Sequence, residues 1–407
     1  MVGLPWPVSV RAAVRHGMNL AALAEVVTAG PGDDIVLVDR SGPMSRRDLV
    51  TAVAGSPTPS GPLVTVEGHH DRSSVVALLA AGMHGRDVAV VHPGVENAVQ
   101  AGISGRAGIG APRGRVWLGT TGTTGTPRQS ARPRYGPGLI RPVAHLWRRW
   151  LRGRQGPVLV LPGLDHGYGL GFTLASLLLG RTVLLPPRGE PAALAGIVAD
   201  WSPVVAVAVP PQLLWLTELQ QWSPEVVVTG SSPLSAEVQQ TATTRFGPVL
   251  HNLYGSTEAG FATMADPADL ARRPGCVGRA LPGIGVRVVD GRVVVHSPFA
   301  THRGRWVPTG DHGHWEDDLL VLDGRVDRVA VVNGVNVDLT EVHAALTAHP
   351  AVESVTVTAD PDPVAGERVR ADVRISEPVT AEALQEWVHR TVGPRVSVAM
   401  SLHQRDS

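Results

Sequence analysis

Apolar and polar positions along this chain follow two alternating rhythms. Continuous apolar runs at 34–39 "DIVLVD", 158–162 "VLVLP", 182–186 "TVLLP" and 204–209 read as buried strands. Residues 63–66, 88–92 and 225–229 read as further strands, while 44–54, 72–82, 191–200, 211–221 and 235–246 carry helical periodicity. This alternation predicts βα units on largely parallel sheets, an α/β fold. From about Gly283 the rhythm shortens to alternating strands, "VRVVDGRVVV", with Asp290-Gly291 as a hairpin turn. Beyond Arg325 a compact pattern follows, with strands at 329–332, 352–360 and 368–376 and helices at 339–348 and 381–392. That change places a domain boundary near Asp327, while the proline-rich 57–62 reads as a surface loop.

Composition narrows the class. The chain has 407 residues, 43% of them hydrophobic and 18% charged, which suits a globular protein of two domains or of one large and one small. A formal net charge of zero gives no electrostatic footprint for nucleic acid and no basic face for a membrane. The single cysteine, Cys276, excludes an internal disulfide framework and fits a reducing cytoplasm. The N-terminal stretch lacks the apolar core of about 7–15 residues that a signal peptide needs. The most apolar run, 169–180, is shorter than the roughly 20 residues of a membrane helix. A soluble, cytoplasmic protein is expected. There is no lysine, so all 36 residues of the Lys+Arg count are arginine.

The densest cluster of glycine and threonine is 119–128, "GTTGTTGTPR", directly after the strand-like "RVWL". Such a loop can curl its backbone N–H groups around a phosphate, with glycine permitting close approach and threonine adding donors. It does not match G-x-x-x-x-G-K-[ST], and alone it fits a surface turn equally well. Downstream come 254–258 "YGSTE", 309–311 "TGD" and 324–327 "GRVD", then Gly334 and Glu341. In this order the motifs resemble the adenylate-forming superfamily of acyl-CoA synthetases, peptide-synthetase adenylation domains and luciferases. The family's first loop reads [ST][ST]G[ST][ST]G-x-P-K, and 120–128 meets every position but the last, where Arg128 stands for lysine. The resemblance runs from about Asp34 to about Gly393.

The resemblance implies a large N-terminal region of two α/β subdomains plus a small β-rich section, residues 1–326, and a small mobile α+β C-terminal domain, residues 327–407. It also implies ATP with Mg²⁺, a small carboxylic acid substrate, and CoA or a carrier protein as acceptor. Thr120, Thr121, Gly122, Thr123, Thr124 and Gly125 would cradle ATP phosphates, with Arg128 keeping the positive charge of the lysine it replaces. Gly230 would lie against adenine and Tyr254 would offer it a flat face. Asp311 would accept from the ribose hydroxyls, with Arg325 beside it. Thr257 would donate to the α-phosphate, and Glu258 is a hard oxygen ligand for Mg²⁺. His166, in "PGLDHGYGLG", corresponds to the family's histidine beside the carboxylate pocket; Asp165 next to it falls outside the amino-acid-binding pattern of peptide synthetases. The hinge would be Asp327. His69, His70, His312 and His314 have no zinc spacing and are expected to be exposed.

The sequence departs from the family in having no G-K segment for the lysine that the mobile domain delivers; Arg395 and Arg405 are the basic residues of its tail. Three readings stay open: an acid-activating ligase, a ligase of altered chemistry that uses an amine or other acceptor, and a nucleotide-binding pseudoenzyme. A fatty or aromatic acid fits better than an amino acid. Biased codon usage accounts for the missing lysines, with protection against self-acylation as the other reading.

Overall fold

The computed structural model describes residues 20–57, 61, 63–93, 116–120, 128–131, 137–300, 304–325, 329–362 and 364–404. Its largest sheet has nine strands. Their spatial order is Arg279–Ala280, Gly260–Ala265, Leu250–Ser256, Val226–Gly230, Val205–Ala208, Val158–Val160, Val183–Leu184, Ile35–Asp39 and Gly42–Ser45. The central strands pair in parallel and the outer pairs are antiparallel. Continuous apolar runs arise here because both faces are covered. Val158, Val160, Val205 and Val207 enter one core, while Leu159, Ala206, Ala208 and Val227 enter another on the opposite face.

A second sheet runs Leu63–Glu67, Asp87–Val91, Val116–Thr120 and Arg128–Ala131, parallel for the first three strands and antiparallel for the last. Its Val88 and Val90, with Leu78 and Leu79 of helix Arg72–Met83, share the first of those cores, so the two α/β units pack on common apolar ground. A four-stranded antiparallel section follows: Gly285–Val289, Arg292–His296, Val307–Glu316 and Leu319–Arg325. At its first turn Asp290 and Gly291 have φ of +49° and +73°, the paired positive values a tight hairpin requires. Residues 329–404 form a five-stranded sheet with helices Leu339–Thr347 and Ala381–Thr391 and a core of their own around Val342, Val369 and Leu384.

The structure departs from the pattern reading in specific places. Residues 44–45 belong to strand Gly42–Ser45, not to the helix. Ser45 Oγ accepts from Asp48 N (3.1 Å) and Asp48 accepts from Ser45 N (3.2 Å), a capping box that starts the helix at Arg46. Strand Val307–Glu316 was hidden because its inward positions include Thr309, Asp311 and Gly313, so no apolar alternation marks it. Strands Val335–Asp338 and Val398–Gln404 were also not anticipated.

The two α/β units are also joined by charge. Asp39, at the end of a strand in the large sheet, has a side chain 1% exposed and accepts from Arg72 Nη2 at 2.6 Å, Arg72 Nε at 3.0 Å and Arg72 N at 2.8 Å. Burial opposes its charged form, and the bonds from Arg72 more than offset that, holding its carboxyl below the usual range. Removing one member of such a pair leaves the other buried and uncompensated. Asp39→Ala is expected to lower unfolding free energy by about 3 kcal/mol, measured by urea denaturation; a loss within about 0.5 kcal/mol, the range of ordinary surface changes, contradicts this role.

Candidate active site

Open α/β sheets place ligands beyond the carboxyl ends of their parallel strands, and the chemically notable residues of this chain gather there. Gly230 ends its strand in register with Leu253, one residue before Tyr254. A Cβ at Gly230 would lie 2.2 Å from Leu253 O and 3.3 Å from the ring of Tyr168, so the backbone there passes where no side chain fits. Tyr254 donates its hydroxyl to Asp311 Oδ2 at 2.5 Å, and Arg325 Nη1 donates to Asp311 Oδ1 at 3.2 Å. Burial and then the charge of Asp311 push the Tyr254 phenol well above its ordinary range, so it stays a donor. Asp311 is 8% exposed and already uses both oxygens, yet a carboxylate has about four acceptor positions and can still receive hydroxyl donors.

The second group centres on the segment after strand Val158–Val160. Asp165 has a side chain with no exposed surface and meets three partners: His92 Nδ1 at 2.7 Å, Arg188 Nη2 at 2.7 Å and Arg395 Nη2 at 2.9 Å. His92 directly follows strand Asp87–Val91 of the second sheet; Arg188 lies in the turn that follows strand Val183–Leu184 of the large sheet; Arg395 comes from the C-terminal domain. A Cβ at Gly163 would sit 1.1 Å from Arg188 Nη2 and 2.3 Å from Asp165 Oδ1, so the absence of a side chain at 163 lets this ion pair form. Burial works against the charged form of Asp165, but His166, Arg395 and Arg188 outweigh it and hold the carboxyl far below its usual range.

His166 immediately precedes helix Gly167–Leu178. Its Nε2 lies 2.7 Å from Arg395 Nη1. A guanidinium only donates, so Nε2 accepts and the imidazole proton is on Nδ1. Burial pulls His166 down to about 4 against the attraction of Asp165, and the positive helix N-terminus acts in the same direction. His70, expected to be exposed, is instead half-buried, with Nε2 2.9 Å from Val160 O, and burial lowers it to about 4 as well. His312 is half-buried too, 3.0 Å from Gly291 O; His69 and His314 are exposed.

Thr257 and Glu258 occupy the turn between strands Leu250–Ser256 and Gly260–Ala265, Thr257 half-buried and Glu258 exposed. Thr120 and Arg128 are register partners, so the intervening loop leaves and rejoins the sheet at one point. Thr121, Gly122, Thr123, Thr124, Gly125, Asp327 and Arg405 lie outside the described residues. The structure thus joins Gly230, Tyr254, Asp311 and Arg325. Separately it joins His166 through Arg395 to Asp165, which sequence reasoning noted only as outside the amino-acid-binding pattern, and to that carboxylate's partners Arg188 and His92, which it missed. Arg395 was noticed only as a basic residue. No spacing rule links these positions, although the glycine-flanked aspartate in "GLDHG" is an available hint.

Two family profiles match this chain: the AMP-binding enzyme over residues 117–298 and the AMP-binding enzyme C-terminal domain over 341–401. Together they span more than half of it. The chain belongs to the adenylate-forming superfamily. Among curated relatives, 4-coumarate–CoA ligase 2 of Oryza sativa subsp. japonica is 29% identical over 268 residues, covering 54% of this chain and 47% of the relative. The mitochondrial malonate–CoA ligase of Mus musculus is 25% identical over 350 residues, 69% of this chain and 60% of the relative. The matches thus span about half to three fifths of those proteins' lengths. Among solved structures, a malonyl-CoA ligase ternary product complex superposes with a TM-score of 0.77 at 21% identity, covering 93% of this chain and 97% of that one. The amide bond synthetase McbA of Marinactinospora thermotolerans gives 0.73 at 23% identity, covering 94% and 96%. These two likenesses establish the fold, α/β with a smaller C-terminal domain.

The two neutral histidines make the fold acid-sensitive. Unfolded, His70 and His166 take up protons near 6.5; folded, they do so only near 4. The unfolded state therefore binds more protons between those values, and stability falls as pH drops through that window. Denaturation at pH 7 and at pH 4.5 should differ by about 5 kcal/mol, roughly half from each histidine, and His70→Gln with His166→Gln should flatten the profile. An unchanged profile in the double variant contradicts the assignment.

Proposed function

We propose that this chain uses Mg·ATP to activate a carboxylic acid, forming an acyl-adenylate and pyrophosphate, and passes the acyl group to CoA or another acceptor. The observation that carries this reading is the knot of Tyr254, Asp311 and Arg325 at the carboxyl end of the sheet, beside the bare backbone of Gly230. A ribose would meet the Asp311 carboxylate there, with Arg325 alongside, and adenine would lie between Tyr254 and the Gly230 backbone. The loop from Thr120 to Arg128 would take the phosphates. Thr257 would donate to the α-phosphate.

In the first step a substrate carboxylate oxygen bonds to the α-phosphorus while the bond to the bridging β-phosphate oxygen breaks and pyrophosphate leaves. Such a transfer depends mainly on alignment and charge neutralisation. Glu258, an exposed carboxylate on a turn, is the hard oxygen ligand that Mg²⁺ takes, and that ion would neutralise phosphate charge. In the second step a thiolate of CoA, or of a carrier-protein arm, bonds to the acyl carbon and AMP departs.

For the acid, an apolar or aromatic body fits the surroundings. Tyr168, close to Gly230, packs at 5.0 Å from Phe172, which lies 5.6 Å from Trp150 and 6.0 Å from Phe261. Neutral His166 can donate from Nδ1 without presenting a second charge to the acid. The match to 4-coumarate–CoA ligase supports an aromatic acid, and the other relative's name supports CoA as acceptor. A second reading, with an amine as acceptor, is favoured by the likeness to an amide bond synthetase.

Mass-spectrometric detection of AMP and pyrophosphate, with Mg·ATP and a panel of fatty and aromatic acids, tests this with CoA, an amine or neither present. Acid-dependent AMP is expected, lost at least about a hundredfold in Glu258→Ala. Asp311→Asn should raise the KM for ATP about ten- to a hundredfold. ATP binding without AMP under every condition contradicts the proposal and leaves a nucleotide-binding scaffold.

A further inference from the structure

We infer that Arg395 is a positioning residue which the C-terminal domain delivers to the core, docking that domain on Asp165 and holding His166 in a single tautomer. The inference concerns the site of the proposed reaction, but its tests need no substrate, so the two can fail independently.

Arg395 projects from a turn that is rooted in the C-terminal domain. The turn joins helix Ala381–Thr391 to strand Val398–Gln404, and its Val396 is 2% exposed in that domain's core. Gln385 clamps it from the helix, donating to Val396 O at 2.6 Å and accepting from Val398 N at 2.9 Å. From this anchored base the guanidinium fork divides. Nη1 donates to His166 Nε2 and Nη2 to Asp165 Oδ2, at 2.7 Å and 2.9 Å. The planar spacing of the fork lets one side chain serve a ring nitrogen and a carboxylate together, which a compact ammonium does less well.

Elsewhere the docked face is drawn close at two glycines of the C-terminal domain. Gly334, in the turn after strand Val329–Val332, would place a Cβ 3.3 Å from Val209 and 3.4 Å from Ser231 Oγ; at Gly366 it would lie 3.1 Å from Pro233. Close backbone approach sets the shape of this face, and Arg395 adds a directional charged contact. The contact is also built to release. When the domain lifts, Asp165 keeps Arg188 and His92, so the buried carboxylate is never left alone. His166 Nε2 then becomes free to accept from a ligand. Docking and ligand access at that nitrogen are therefore exclusive.

Two readouts test this on the full chain. Spin labels at Gln220→Cys and Glu386→Cys, both exposed, report the distance between core and C-terminal domain; native Cys276 is fully buried and stays unlabelled. With Arg395 present the distance distribution should be a single narrow peak. Arg395→Gln should shift a severalfold larger fraction to other distances, and Arg395→Lys should fall between. Separately, ¹⁵N-histidine NMR should show His166 Nε2 as an acceptor with the proton on Nδ1, a pattern lost in Arg395→Gln; the His166→Gln variant assigns the signal. If both the distances and the His166 signals in Arg395→Gln match those of the parent, the inference is overturned. Should Arg395→Gln fail to fold, Arg395→Lys decides: parental distances and a parental tautomer together, with the charge kept but the fork gone, also overturn it.

Discussion

A carboxylate with no exposed side-chain surface stays ionised only if cations and donors are brought to it, and this protein arranges its parts around that requirement at Asp165. One partner, His92, comes from the end of the second sheet. Another, Arg188, comes from the turn after strand Val183–Leu184 of the large sheet and reaches the carboxylate through space left open by Gly163. The third, Arg395, crosses from the C-terminal domain. The two α/β units share one apolar core, yet apolar packing is non-directional and does not by itself fix how the units align. The charged knot supplies that alignment, as Asp39 and Arg72 do where the same two sheets meet elsewhere.

Function follows from where the knot sits. The carboxyl ends of parallel strands leave a crevice, and here the strand ends and the elements beside them carry two kinds of chemistry side by side. On one side the bare Gly230 backbone, Tyr254, Asp311 and Arg325 offer a flat surface, hydroxyl acceptors and a cation. On the other, His166 and Tyr168 lead into an aromatic cluster. An adenylate-forming reaction needs both, a nucleotide held by its ribose and an acid body held near the α-phosphate. In the proposed reaction a neutral His166 would present no fixed cation to trap the acid.

Much of this was legible in the order of residues. Alternating apolar runs gave the βα units because buried parallel strands are apolar on both faces. The motif residues Gly230, Tyr254, Asp311 and Arg325 could be named because the order of their motifs resembles the adenylate-forming superfamily, which no single motif would have shown. Strand Val307–Glu316 escaped because its inward positions are not apolar: an aspartate and a glycine stand where hydrophobic residues would have announced a strand. The Asp165 knot escaped for another reason. Its partners lie 73 and 23 positions away, and Arg395 is 229 positions from His166, so only the folded chain brings them together. His70 and His312 were misread as exposed because a histidine's burial depends on such distant neighbours.

The central claim is that a single carboxylate aligns both sheets and the C-terminal domain. Amide hydrogen exchange of Asp165→Asn against the parent tests it most directly. The account requires faster exchange in three separated places at once: the end of strand Asp87–Val91, the segment around Arg188, and the turn carrying Arg395. Faster exchange confined to the residues next to position 165, with the other segments as protected as in the parent, would contradict it.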